Sequence, residues 1–175
     1  MNKSVYCNNC KYDKPFASRT LSHYRYTESG LDFIYLYGEG IRQAVCPECG
    51  TQNIIIRKPQ ALSRAIKEAI IQKSRTLSGD EIRFLRKSIG LSGVEFAKQI
   101  GVDSKYLSRL ENGKEESHSI TLDKLIRYHV ASADRNNAYD LHQAIKDDKL
   151  LYWKKELRLE IKNKSNDSWE MTEAA

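Results

Sequence analysis

The sequence predicts an α+β protein: a small β-rich domain gathered around four cysteines, then an all-α domain and a helical carboxy-terminal tail. Three observations carry this reading. Two Cys-x-x-Cys pairs, Cys7/Cys10 and Cys46/Cys49, bracket a stretch rich in aromatic and β-branched residues. From Leu62 onward apolar residues recur at helical spacing. Ser-x-x-Glu pairs stand ahead of two of these stripes, and glycines close them.

Residues 1–58 form the β-rich domain. Arg19–Tyr26, Leu31–Tyr37 and Gln52–Arg57 have strand composition, and Gly30, Gly38 and Gly40 mark turns. Pro59 closes this region. Residues 59–78 are a linker helix, its stripe made of Leu62, Ala65, Ile66, Ala69 and Ile70. Residues 79–131 are all helical. Ser78 with Glu81 starts one helix, carried by Ile82, Leu85 and Ile89 to Gly90. Ser92 with Glu95 starts a second, which runs through Val94, Phe96, Ala97 and Ile100 and ends at Gly101. A third covers 104–111 before Asn112-Gly113. A fourth opens near Thr121, with Leu122, Leu125, Ile126 and Val130 inward. Residues 132–175 are expected to be a helical tail. Leu150, Trp153, Leu157 and Ile161 share a side, with a break near Asp147-Asp148 and fraying after Lys164.

Composition bounds the function. Of 175 residues, 40% are hydrophobic and 30% charged, which argues against disorder throughout the chain. No apolar run reaches the roughly 18 residues of a membrane span, and Met1-Asn2-Lys3-Ser4 lacks a signal-peptide core. A cytoplasmic protein with no membrane partner is therefore expected. The net charge of +6 suits a polyanion, but residues 79–130 carry 9 basic and 8 acidic side chains, so charge alone cannot single them out.

In a reducing compartment two Cys-x-x-Cys pairs favour a metal over disulfides. Cys7, Cys10, Cys46 and Cys49 can surround one zinc ion tetrahedrally, and a Gly after Cys49 accommodates the tight turn. Four thiolates leave no position for water, so the site is expected to hold one structural Zn²⁺. The 35 residues between Cys10 and Cys46 exceed the roughly 15–20 of a compact zinc ribbon. The alternatives are a redox pair or reduced buried cysteines, and iron would also suit such ligands. His23, His118, His129 and His142 form no metal or catalytic spacing, and no GxSxG, GxGxxG or P-loop occurs. No enzymatic activity is expected.

The run from Leu91 to Lys114 carries the functional signal. Ala97 is small enough for a close helix crossing, and Gly101 suits the turn between two helices. Val102, Leu107 and Leu110 seat the second helix, leaving Ser104, Lys105, Ser108 and Arg109 outside to meet phosphates or base edges. An alternative use of Arg109 is an ion pair with Glu111 or Asp103.

This run resembles the XRE-type helix-turn-helix, whose typical ending is matched by Ser108-Arg109-Leu110-Glu111-Asn112-Gly113-Lys114. The resemblance spans about residues 79–131. It implies base reading by Lys105 and Arg109, and phosphate contacts by Ser92 and Lys114, on a double-stranded DNA operator. Some XRE-like domains serve only to dimerise. Residues 5–131 together resemble the MqsA-type antitoxins, with Cys7, Cys10, Cys46 and Cys49 at the zinc ligands. That resemblance implies a homodimeric repressor whose zinc domain binds a toxin, a ribonuclease of RelE-like fold. Residues 132–175 extend past the usual end of that family. A stand-alone regulator of a mobile element or phage, and a zinc scaffold for protein or RNA, are the rival readings.

Overall fold

The computed structural model describes residues 6–12, 14–115, 117–133, 159–163 and 168–173. The fold is mixed α and β, and the chain divides into two compact units. One comprises Met1–Tyr26, Asp32–Ala65 and Leu157–Ala175; the other comprises Thr27–Leu31 and Ile66–Glu156.

The first unit contains two sheets. Strands β1 (Ser18–Thr20), β4 (Ile41–Val45) and β5 (Gln52–Ile56) form an antiparallel sheet in the order β1-β4-β5. Arg19 stands opposite Gln43, and Ile41 opposite Ile56. The second sheet has the order β2-β3-β6-β7, from β2 (His23–Arg25), β3 (Ile34–Tyr37), β6 (Leu159–Asn163) and β7 (Trp169–Glu173). Strand β3 alternates as strands with one covered face do: Ile34 and Leu36 are fully buried, Tyr35 and Tyr37 half-buried. Of the expected strands, the first is interrupted at Leu21-Ser22. Strand β4 was not among them.

The helical tail expected over 132–175 requires correction. Strands occupy Leu159–Asn163 and Trp169–Glu173, and β6 pairs in parallel with β3. Ile161, read as part of a helical stripe, lies in register with Leu36 and is fully buried. The physical reason is long-range pairing. Residues 159–162 alternate apolar and charged, a period-2 pattern, and β3 supplies the hydrogen-bonding edge that a local reading cannot see. The Trp169 indole is buried and donates to the Arg57 carbonyl at 3.0 Å, and the Tyr37 hydroxyl donates to Glu160 at 3.3 Å. Leu150, Trp153, Leu157 and the break at Asp147-Asp148 lie outside the described residues.

Helix α1 (Pro59–Gln72) begins where the sheet was expected to close, because proline at the first helical position loses no needed N–H. Helices α2 (Gly79–Ser88), α3 (Gly93–Gln99), α4 (Ser104–Glu111) and α5 (Ile120–Ala133) follow. Ser78 and Ser92 each form the complete capping box with Glu81 and Glu95, and Asp103 caps α4 through the amides of Lys105 and Tyr106. Gly101, at φ +70°, ends α3 with two reverse bonds: its own N–H to Lys98 and that of Val102 to Ala97. This left-handed residue turns the chain into α4. Ile82, Leu85, Phe96, Ala97, Leu107, Leu110, Ile126 and Val130 form the core around which α2–α5 pack.

One residue expected inward is not. Leu125 is 40% exposed. It lies at the margin of its stripe, where helical spacing alone cannot separate the last covered position from the first wet one.

Candidate metal centre and nucleic-acid interface

The loops at Cys7–Cys10 and Cys46–Cys49 bring four thiols together, every Sγ within 4.8 Å of the others. Cys7 Sγ lies 3.6 Å from Cys49 Sγ, and Cys10 Sγ 3.6 Å from Cys46 Sγ. Four sulfurs about 2.3 Å from a central zinc would stand about 3.8 Å apart along each tetrahedron edge. A disulfide would need about 2.05 Å. All four cysteines are free thiols, and their spacing fits a tetrahedral soft-metal site.

The two knuckles follow the same backbone path. The residue after the second cysteine is left-handed in each, Lys11 at φ 57° and Gly50 at φ 70°. Gly50 was legible as a turn residue; Lys11 was not, since lysine carries no such preference. The Asn9 amide donates to Cys7 Sγ at 3.4 Å, and the Asn9 side chain reaches both Cys49 Sγ and the Thr51 hydroxyl. Thr51, 3.1 Å from Cys49 Sγ, lowers that thiol to about 6 through its hydroxyl and its amide. The Tyr12 amide also favours the Cys10 thiolate, but burial and the neighbouring cysteines outweigh it and raise that thiol to about 12. A bound zinc would replace this sharing of protons with four metal–sulfur bonds and tie residues 7–10 to residues 46–49.

The second candidate site lies on α3 and α4. Ser92, Gly93, Val94, Ser104, Lys105, Ser108 and Arg109 line one open groove of about 540 Å³. Six of the expected DNA contacts were named from sequence, and five of them share this groove. The sixth, Lys114, is exposed just beyond α4. Lys105, Ser108 and Arg109 are exposed and Ser104 half-buried, so the outer side of α4 presents two cations and two hydroxyls.

The local sequence fixes this presentation. Leu107 and Leu110 are buried, which turns Lys105, Ser108 and Arg109 outward one helical face away. The Glu-Asn of the motif anchors the helix to α2. Glu111 is buried and takes a bidentate pair from Arg86, Nε to Oε1 at 2.7 Å and Nη2 to Oε2 at 2.8 Å. Arg83 donates to the Glu111 carbonyl and to Asn112 Oδ1 at 2.7 Å. Neither Glu111 nor Asp103 pairs with Arg109. Its partner is Glu115, which accepts from Arg109 Nε at 2.6 Å. Sequence reasoning missed Glu115, because the loop after α4 has no periodicity that would place it.

A buried network ties α5 to the end of α1 and the turn before α2. The Arg127 guanidinium donates to the carbonyls of Ile70, Ile71, Lys73 and Arg75, and its Nε donates to Asp123 at 2.6 Å. Asp123 also accepts from the Leu77 amide at 2.7 Å and lies 2.9 Å from His118 Nε2. Burial would raise the Asp123 carboxyl, but His118, Arg127 and the Leu77 amide together hold it below the usual carboxylate value. Lys73 pairs with Glu81, the residue that closes the capping box of α2. His118 is thus a packing residue, as its lack of metal spacing implied.

Residues 82–129 match the family model for the helix-turn-helix, in its XRE type. No curated protein and no solved structure matches the chain. The matched segment begins in α2 and ends in α5, and the match supports a DNA-binding regulator. Among the described residues no helix is long and apolar enough to cross a membrane.

Proposed function

We propose that this protein is a sequence-specific transcriptional repressor that binds operator DNA as a homodimer through α4, and that its Cys₄ module carries one structural Zn²⁺. The observation that carries the reading is the α3–α4 groove. It joins the N-cap serine of α3 to the exposed cations of the second helix, in a segment of helix-turn-helix type. In the mechanism proposed, α4 enters the major groove. Lys105 and Arg109 read base edges, Ser104 and Ser108 supply further hydrogen bonds, and Ser92 and Lys114 grip phosphates. Two copies set their recognition helices about 34 Å apart on a palindrome. Leu125 and Tyr128, exposed three residues apart on α5, are the apolar side chains such a pairing would cover.

The finer reading is an antitoxin of a type II module, with the zinc unit binding a RelE-like toxin. It rests on the sequence resemblance and on the clustered cysteines. A stand-alone regulator is the second reading, favoured by β6 and β7, which build the carboxy-terminal residues into the zinc unit. The test is gel shift of the full chain on its own promoter, with the site chosen by selection from random DNA. Selection of a palindrome supports the repressor; binding that is indifferent to sequence overturns it. Co-purification with the product of the adjacent gene separates the antitoxin from the stand-alone regulator.

A further inference from the structure

The pair formed by Arg109 and Glu115 bears on how the groove reads DNA, and the inference from it rests on the repressor reading above. We propose that Glu115 is a positioning residue for base recognition: it holds Arg109 by one edge so that the opposite edge meets a guanine.

A guanidinium has five N–H donors in a planar fork. Arg109 Nε is taken by Glu115 Oε1 at 2.6 Å. Engaging Nε consumes the side edge of the fork and leaves the two terminal nitrogens as a matched pair. That terminal pair is the geometry suited to the O6 and N7 acceptors of guanine in the major groove. Arg109 stays 53% exposed at its side chain, so the pairing restricts the fork without covering it.

The electrostatic consequence points the same way. A free arginine beside a groove of phosphates gains attraction on any sequence. With Glu115 attached, the net charge of the pair is zero. Generic attraction to the backbone falls while the directional bonds to one base remain. Glu115 thereby trades indiscriminate affinity for preference, and it sits outside the helix that does the reading. Exposed ion pairs contribute little to folding, so the role assigned here is orientation and not stability.

The experiment uses the full chain and a DNA site selected by the wild type, with single-base-pair variants of that site and an unrelated duplex. Glu115→Ala, Glu115→Gln, Arg109→Ala and the double variant Arg109→Ala/Glu115→Ala are compared. Glu115→Ala is expected to lose about fivefold in discrimination at the same base pair that Arg109→Ala relaxes, while binding the unrelated duplex more tightly. Glu115→Gln, which keeps an acceptor for Nε, should recover part of the discrimination. In the Arg109→Ala background the second change should alter no base preference. The proposal is overturned if Glu115→Ala shifts all duplexes equally, or relaxes a different base pair, or adds to Arg109→Ala. If the wild type selects no site, the repressor reading falls and takes this inference with it. If Arg109→Ala relaxes a base pair and Glu115→Ala does not, only the inference falls.

Discussion

At the scale of single residues, the groups proposed to read DNA and the groups that hold the helices are different. Arg109→Ala should relax operator preference by about 1–3 kcal/mol at one base pair, read as the affinity ratio between matched and mismatched sites. Glu111→Ala strikes a buried residue two positions further along α4, and its effect should be on folding. It leaves Arg86 without its carboxylate partner and should cost about 3 kcal/mol in denaturant unfolding. Asp123 supplies a pH dependence. Its carboxyl is depressed in the folded state, so its contribution is fully present above the unfolded value near pH 4 and lost as pH falls through the lower folded value. Asp123→Asn should therefore flatten the acid limb of a stability-against-pH profile, while lowering stability at neutral pH. Motif spacing made the clustering of Cys7, Cys10, Cys46 and Cys49 and the outward placement of Lys105 and Arg109 legible in the sequence. Arg86, Arg127 and Glu115 were not. Arg127 is fully buried, and its carbonyl acceptors lie more than fifty residues earlier, a distance that no local pattern spans.

At the scale of elements, caps proved more informative than stripes. The serine–glutamate boxes located the starts of α2 and α3, because each box satisfies two backbone donors that the helix cannot satisfy itself. The left-handed glycine at 101 located the turn. Gly101→Ala should cost about 1 kcal/mol, measured as a lower urea midpoint with unchanged slope. Stripes placed the centre of each helical face and misplaced a margin, as Leu125 shows. Strands fared worst where their partners were remote. The segment Ile41–Val45 has polar Arg42 and Gln43 at its middle, and it becomes a strand because β1 and β5 flank it on both sides. The carboxy-terminal strands had charge and apolar residues that a helix could also arrange, and only the edge of β3 decides between them.

At the scale of the whole molecule, the four-cysteine cluster and the carboxy-terminal strands both lie in the same unit. Metal removal should release one zinc per chain and lower the unfolding temperature of the β-rich unit, leaving the helical transition in place; calorimetry on the metal-free protein checks this. A substitution on α5, Tyr128→Glu, should shift the protein toward monomer in sedimentation and weaken operator binding, while leaving the helical content unaltered.

The order β2-β3-β6-β7 also dictates a timetable. During synthesis residues 66–133 leave the ribosome before β6 and β7 exist, so the helical unit has all of α2–α5 available while β3 still presents a bare edge. For that interval the edge of β3 that β6 later covers is open backbone, the point at which neighbouring nascent chains would stick to one another.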